Sequence, residues 1–332
     1  MNLRATNISV ALCTHNGEWF IGEQVASILA QSVLPAQIVL SDDASSDATV
    51  AIARTVVEAW LAEHPDQVFD FTVLRNTVPL GVTGNFEQAI AATTGDFVAL
   101  SDQDDIWHPD RIERALTVFE TSPSTLLVHS DARLVDANGE TLDDTLFSAY
   151  DVNRTDIAKI HAGAAFDILA RRTIVTGAAT MIRRPLFDAA RPFPAGWVHD
   201  EWLAIVASAL CGLDVIDEQL IDYRQHGSNE IGAATLSVFG KFRRMLEPRS
   251  ERNRRLLERS ESLAERFTTM PQIPRGYAAA VTAKLEHEMM RSALPIARLL
   301  RLVPVIREFK TGRYSRFGRG VADAVRDLLQ PA

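Results

Sequence analysis

The sequence predicts an α/β protein: a mostly parallel central sheet flanked by helices, followed by a helical extension. Short apolar runs alternate with amphipathic helical stretches through the first half of the chain, an order that makes strands parallel. Polar and acidic clusters follow directly on those apolar runs, at the carboxyl ends of strands, where open α/β sheets hold ligands. Beyond Val238 the pattern becomes helical and arginine-rich. We therefore expect a catalytic-type α/β domain over residues 1–237 and a basic α-helical extension over 238–332.

Each element follows from local pattern. Ile8–Cys13 reads as a buried strand and Trp19–Gln31 as a helix with apolar residues at helical spacing. Gln37–Ser41 is a strand that runs into Asp42-Asp43. Ser46 or Asp47 is placed to cap a helix ending near Glu63, before Pro65. Phe69–Leu74 is a strand, and Gly81 to Thr93 a loop and helix. Phe97–Ser101 is a strand, followed by Asp102-Gln103-Asp104-Asp105. Pro109 suits the first turn of a helix running to about Glu120. Leu126–Ser130 and Ala132–Val135 are strand-like, and Asn138-Gly139 marks a tight turn. Further on, Ile157–Ala170 reads as a helix, Ile174–Ile182 as a strand, Glu201–Cys211 as an apolar helix and Leu220–Arg224 as a short strand. Pro248, Pro271, Pro274, Pro295 and Pro304 divide the helical tail.

Composition narrows the function. A chain of 332 residues with 47% hydrophobic content can build a substantial core and is far from disordered. Two cysteines, Cys13 and Cys211, exclude a disulfide scaffold and a cysteine zinc site, and suit a reducing compartment. The first residues lack the apolar segment of a signal peptide, so a cytoplasmic protein is expected. The longest uncharged run, Gln24–Ser41, spans 18 residues but contains Gln31, Ser32, Pro35 and Gln37, so it is no membrane span. The net charge of −9 conceals two opposed halves. Residues 240–332 carry 20 Lys and Arg against 10 Asp and Glu, and residues 1–239 carry 14 against 33. An acidic body repels phosphates, so a nucleic-acid partner is not expected.

Three clusters carry chemistry. Three carboxylates, Asp102, Asp104 and Asp105, follow a buried strand within four residues. Held together without a counter-charge they repel, and a divalent cation bridging to a diphosphate removes that cost. Asp42 and Asp43 stand at another strand end, where carboxylates accept hydrogen bonds from a base or ribose. Thr14-His15-Asn16-Gly17 closes the first strand and read alone is a turn. No phosphate-binding G-x-x-x-x-G-K-[ST] loop, no G-x-G-x-x-G turn and no G-x-S-x-G elbow occurs.

In this order and spacing the three clusters resemble the family 2 glycosyltransferases of the glycosyltransferase A fold, whose central sheet is Rossmann-like. The matching residues are Thr14 and Asn16, then Asp42, Asp43, Ser45 and Asp47, then Asp102 and Asp104. Cys13, His15 and Ala44 stand where the family has proline, tyrosine and glycine. Gly81-x-x-x-Asn85-Phe86-x-x-Ala89, with the segment Ser101–Trp107, is similar to the bacterial rhamnosyltransferase-like branch, which builds surface polysaccharides. The resemblance covers residues 6–230.

The resemblance implies an inverting, metal-dependent transfer of a sugar, rhamnose first, from a dTDP- or UDP-sugar to a hydroxyl of a glycan or lipid-linked acceptor. It implies that Thr14, Asn16, Asp43, Asn85 and Asp102 bind the donor, and that Asp102, Asp104 and His226 serve Mn²⁺ or Mg²⁺. Arg224 is an alternative, as a phosphate partner. The family's base-bearing pair falls on His199-Asp200, which makes Asp200 the catalytic base, with Glu201 its rival and a plain helix cap the structural alternative. Trp202 reads either as a sugar-stacking residue or as core, and Gly177 as a close-approach position under the sugar or in a packed strand. A sugar nucleotidyltransferase would need a glycine-rich loop with Arg and Lys near Cys13–Gly17, which is missing; a non-catalytic binding module would have no need of Asp102, Asp104 and Asp200.

The tail keeps two readings open. Over Ser292–Phe309, apolar residues from Leu294 to Ile306 alternate with Arg298, Arg301 and Arg307, preceded by Arg291. Such a helix either docks on an anionic membrane, at the inner face of the plasma membrane, or packs its apolar side on the body.

Overall fold

The computed structural model describes residues 7–226 and 249–331. The chain divides into two compact units. Residues 7–163 and 174–226 form the first, and residues 164–173 with 249–331 form the second. The expected boundary at 237/238, the residues Gly227-Ser228-Asn229 and the helical reading from Val238 to Pro248 lie outside the described residues. Residues 164–173 group with the second unit because Phe166 is buried there against Phe267 and Tyr277.

The first unit holds a nine-stranded sheet: β1 (Ile8–Thr14), β2 (Gln37–Asp42), β3 (Asp70–Arg75), β4 (Phe97–Ser101), β5 (Ile106–Trp107), β6 (Leu127–Val135), β7 (Thr141–Thr145), β8 (Thr180–Arg183) and β9 (Leu213–Arg224). The spatial order is β3-β2-β1-β4-β8-β6-β9-β5, with β7 paired to β6. The half containing β3, β2, β1 and β4 is parallel, as the alternating pattern requires. The other half is mixed: β8 runs antiparallel to β4 and β6, β5 is antiparallel to β9, and β6 and β9 are parallel. Strands β1 and β4 are buried along their whole length, as expected for strands covered on both faces. The edge strand β3 is only half buried.

The chain reverses direction across the sheet at β1. It moves outward through β2 and β3, then returns so that β4 pairs on the other side of β1. This is a topological switch point, and loops leaving the carboxyl ends of such neighbours diverge and leave a crevice. The register aligns those ends: Thr14 lies opposite Asp42, and Leu12 opposite Ser101.

Several elements differ from the sequence pattern, each for a local reason. The helix read over Ile157–Ala170 is two short helices, Arg154–His161 and Phe166–Leu169. Asn153 starts the first with a reciprocal capping box, and Gly163, at φ +75°, supplies a left-handed residue just past its end. The strand read over Ile174–Ile182 begins only at Thr180, after a 3-10 turn at Gly177–Ala179. The short strand at Leu220–Arg224 is the end of a strand that starts at Leu213. Neither Ser46 nor Asp47 is the cap of the helix Thr49–Glu63: the N-cap is Ala48, and Asp47 reaches past it to accept the Thr49 N–H at 3.0 Å. Ser292–Phe309 is no continuous helix. One helix ends at Ser292, a 3-10 turn covers Arg298–Arg301, and a new helix spans Leu302–Lys310, with Pro304 in its first turn, where a missing N–H costs nothing.

The second unit packs a helical hairpin, Arg249–Thr268 and Arg275–Ser292, and the shorter helices Leu302–Lys310, Arg313–Phe317 and Val321–Leu329. One small apolar cluster there comprises Leu294, Val305, Tyr314 and Ala324. Beside it lies a buried polar network. Arg291, 2% exposed, donates to Asp327 at 2.7 and 3.3 Å and to Glu288 at 3.1 Å, while the Tyr314 hydroxyl donates to Asp327 at 2.9 Å. Removing one member leaves buried charges without their partner, which costs about 3–5 kcal/mol. Arg291→Ala should therefore lower the unfolding free energy of this unit by about that amount, read from chemical denaturation followed by hydrogen exchange of the residue 275–329 amides.

Candidate active site

The site assembles where three strand ends meet. The loop after β1 is tied to the loop after β2: the Asn16 N–H donates to Ser45 Oγ at 2.8 Å, and Asn16 Oδ1 accepts the Ser46 N–H at 2.9 Å. It is tied equally to the loop after β4. Gln103 accepts the His15 N–H at 2.8 Å and donates to the His15 carbonyl at 3.0 Å, a two-bond clasp between chain segments 88 positions apart. Gly17 allows it, since a Cβ there would lie 2.2 Å from Gln103 Oε1. Two non-glycine residues, Asn16 and Ala44, hold left-handed backbone at φ +49° and +63°. Ala44 thus occupies a conformation that favours glycine, the residue the family resemblance expects there.

The expected donor residues fall into two layers. Thr14 is buried and its hydroxyl donates to Asp42 at 3.0 Å. Asp43 is 6% exposed, and its carboxylate accepts the Leu80 and Gly81 N–H groups at 2.7 and 2.9 Å and the Asn76 amide at 2.9 Å. It therefore anchors the start of the helix Gly81–Ala92, whose N-cap, Leu80, offers no side-chain cap. Asn85 lies behind it, 2% exposed, exchanging hydrogen bonds with the Ser41 hydroxyl and carbonyl at 2.7 and 2.9 Å. Asn16 and Asp102 remain more accessible at the crevice.

The acidic cluster is brought against the end of β9 by strand register. Ile106 of β5 lies opposite Asp222 of β9, so the residues preceding Ile106 run alongside those following Asp222. Asp104 Oδ2 consequently sits 2.8 Å from His226 Nε2, the two side chains only 13% and 9% exposed. Asp105 is buried; one oxygen accepts the Arg224 N–H at 3.0 Å and Oδ2 has no hydrogen-bond partner. Burial, and then Asp104 and Asp102, push the Asp105 carboxyl well above the carboxylate range. Burial also raises Asp104, against the lowering effect of His226. Arg224, the alternative phosphate partner, is 3% exposed and donates to the Asp104 and Ala137 carbonyls and to Glu23, with its guanidinium over Phe20.

A buried cation under this cluster escapes the sequence pattern. Arg111 stacks over Trp107 at 3.6 Å, donates to the Leu100 and Thr180 carbonyls, and feels the charges of Asp105 and Asp102. Burial lowers its guanidinium to about 9 despite those acids. Its signal was positional: a cation in the first turn of the helix Arg111–Thr121 opposes the helix dipole and needs another reason to be there.

Asp200 occupies the first turn of the helix His199–Ala209, and the N-cap is Val198. Its carboxylate accepts the Gly177 N–H at 2.8 Å and the Glu201 N–H at 2.6 Å, so backbone donors fix both oxygens. Glu201 is half buried beside it, and both acids raise the Tyr150 hydroxyl, whose burial is the larger cause. Gly177 is indeed a close-approach position, but what approaches is His199: a Cβ would lie 2.5 Å from its Nε2. His199 stacks on Phe86 at 3.7 Å with neither ring nitrogen hydrogen-bonded. Trp202 is core, fully buried with its indole N–H on the Ala190 carbonyl.

The chain belongs to glycosyl transferase family 2, whose sequence profile matches residues 9–189. It is 27% identical to an uncharacterised glycosyltransferase of Nostoc sp. over 67% of this chain and 66% of that protein. An uncharacterised Mycobacterium tuberculosis protein is 28% identical over 66% of this chain and 59% of its own length, so this chain spans less than two thirds of either relative. It is 27% identical to the dTDP-rhamnosyl transferase RfbG of Shigella flexneri over 84% of this chain and 94% of that one. Among solved structures, S. aureus TarS residues 1–349, in complex with UDP-GlcNAc, superposes with a TM-score of 0.56 at 14% identity, over 92% of this chain and 81% of that one, which shows the shared fold.

Two buried histidines set an acid limit. Burial lowers His129 and His199 to about 3, against 6.5 for an exposed imidazole. Below pH 6.5 the unfolded chain takes up protons that the folded chain refuses, so their contribution is complete above 6.5 and falls steadily toward pH 3. The histidine contribution should fall between pH 7 and pH 5 against the opposite contribution of the raised Asp105 carboxyl, and the melting temperature of His199→Gln should lose less over that interval than that of the parent protein.

Proposed function

We propose that this protein is an inverting, metal-dependent glycosyltransferase that moves a sugar, rhamnose first, from a dTDP- or UDP-sugar to a hydroxyl of a glycan or lipid-linked acceptor in bacterial surface polysaccharide synthesis. The setting is the cytoplasm, at the inner face of the plasma membrane. The observation that carries the reading is the contact of Asp104 with His226, with Asp102 and Asp105 flanking Asp104 in the loop after β4. The resemblance to RfbG over nearly its whole length supports rhamnose as the first donor.

The residues fit a divalent cation by their chemistry. Asp104 and His226 already face each other, Asp105 Oδ2 is buried without a partner, and oxygen with one imidazole suits Mn²⁺ or Mg²⁺. Among the described residues no three His, Cys, Asp or Glu side chains form a ready cluster, so the remaining ligands would come from the diphosphate and water. Asp104 and His226 would hold the ion, with Asp102 on the ribose or the ion's water shell. When bound, the cation supplies positive charge to the departing diphosphate.

Asp200 is the base of this reading. The Gly177 and Glu201 N–H groups orient its carboxylate and stabilise its charged form, which can take the acceptor hydroxyl's proton. The acceptor oxygen attacks the anomeric carbon as the bond to the diphosphate oxygen breaks, in line, which inverts that centre. Asn16 and Asp43 shape the nucleotide side, and Thr14 and Asn85 act through Asp42 and Ser41 by holding the strand ends in place.

Asp200→Asn should retain donor and Mn²⁺ binding yet transfer sugar about 10²–10⁴-fold more slowly, measured with a panel of dTDP- and UDP-sugars. Full transfer by that variant refutes the assignment. Asp104→Asn should abolish the Mn²⁺-dependent rise in melting temperature with donor, and an unchanged rise would remove Asp104 from the metal site.

A further inference from the structure

The second unit presents an outer face of unusual composition. Leu299 is 91% exposed, Ile296 81% and Leu300 65%, and Val303 and Ile306 continue the apolar stripe at helical spacing along Leu302–Lys310. Exposed apolar side chains gathered this densely mark an interaction surface. Along this stretch of chain the exposed charges have one sign, although Arg316 lies 3.6 Å from Asp167, an exposed acid from an earlier segment of the unit. Between residues 292 and 331 every acid (Glu308, Asp323 and Asp327) is buried, whereas Arg298, Arg307, Lys310, Arg316 and Arg319 are exposed.

Two residues that the sequence pattern assigns to this basic stripe are elsewhere. Arg291 is buried on Asp327, and Arg301 is 1% exposed. Arg301 donates to the carbonyls of Pro295, Ile296, Asp327 and Gln330. It thereby fixes the turn that displays Ile296, Leu299 and Leu300, so these side chains project from a pinned backbone.

We propose that this face docks the protein on an anionic lipid surface, with Leu299, Leu300, Val303 and Ile306 entering the headgroup boundary and the surrounding Arg and Lys side chains meeting lipid phosphates. An occupant must be apolar and negatively charged at once, and the interface of an anionic bilayer is both. A two-fold contact with a second copy fits less well, because it would set Arg298, Arg307 and Lys310 against their own counterparts. No helix among the described residues is long and apolar enough to cross a membrane. The inference adds a surface and a lipid chemistry to the transferase reading and does not depend on it.

The test is co-sedimentation of the full chain with vesicles of phosphatidylcholine, with and without phosphatidylglycerol, at low and physiological salt. Binding is expected only with phosphatidylglycerol and should weaken with salt. Arg307→Ala and Lys310→Ala should each weaken it about fivefold. Leu299→Glu with Val303→Glu should weaken it at least about tenfold with an unchanged melting temperature, since both positions are exposed. No binding at low salt, or undiminished binding by the Glu variant, overturns the proposal. A dimer that this variant dissociates, without vesicle binding by the parent, assigns the face to a second copy instead. Sugar transfer to a soluble acceptor, assayed without vesicles, reports separately on the transferase reading.

Discussion

Carboxylates crowded at the end of β4 repel one another, and much of the first unit is arranged around that repulsion. Asp105 is buried against Asp102 and Asp104, and each raises its carboxyl further. The protein answers with nitrogen groups at graded distance. His226 meets Asp104 directly, while Arg224 donates its guanidinium to the Asp104 carbonyl and its backbone N–H to the Asp105 carboxylate. Arg111 lies beneath, stacked on Trp107. These groups contain the charge without neutralising every oxygen, since Asp105 Oδ2 keeps no partner. The divalent cation proposed for this site rests on that arrangement.

Holding such a cluster requires a rigid frame, and the frame is made largely of backbone contacts. Asp43 fixes a helix start, Gln103 clasps the β1 loop, and Gly177 and Glu201 hold Asp200. Close approach is obtained by deleting side chains at two positions, Gly17 and Gly177, where a Cβ would collide with Gln103 and His199. The motif residues thus divide into those that face the crevice and those that hold the facing residues still. Thr14 and Asn85 are of the second kind, buried and hydrogen-bonded to Asp42 and Ser41.

The second unit solves a different problem with similar means. One of its apolar clusters is small, and Arg291, Glu288, Asp327 and Tyr314 pair in the interior beside it. Over residues 292–331 the acids are buried, and the exposed charges of that stretch are basic. An abundance of arginine in sequence therefore separates, in the fold, into structural arginines and surface ones.

By itself the sequence determined the α/β class, the parallel strands β1 to β4 and the three clusters at their ends. These are local matters: hydrophobic period, turn residues and side-chain chemistry are all written within a few positions. It also placed Asp104 after a buried strand and Asp200 at a helix start, though as a cap before Glu201, whereas the helix begins at His199 with Val198 as its N-cap. It missed the break at Gly163, the 3-10 turn at Gly177 and the early start of β9, because a residue in left-handed backbone or a buried register is specified by contacts distant in the chain. The resemblance grouped Asp104 with His226, 122 positions away, and tertiary structure brings the two side chains together through the pairing of β5 with β9. Tertiary structure alone decided that Trp202 is core, that Arg224 is a clasp, and which arginines of the tail face outward. Burial and partnership are properties of packing, and no run of neighbouring residues encodes them.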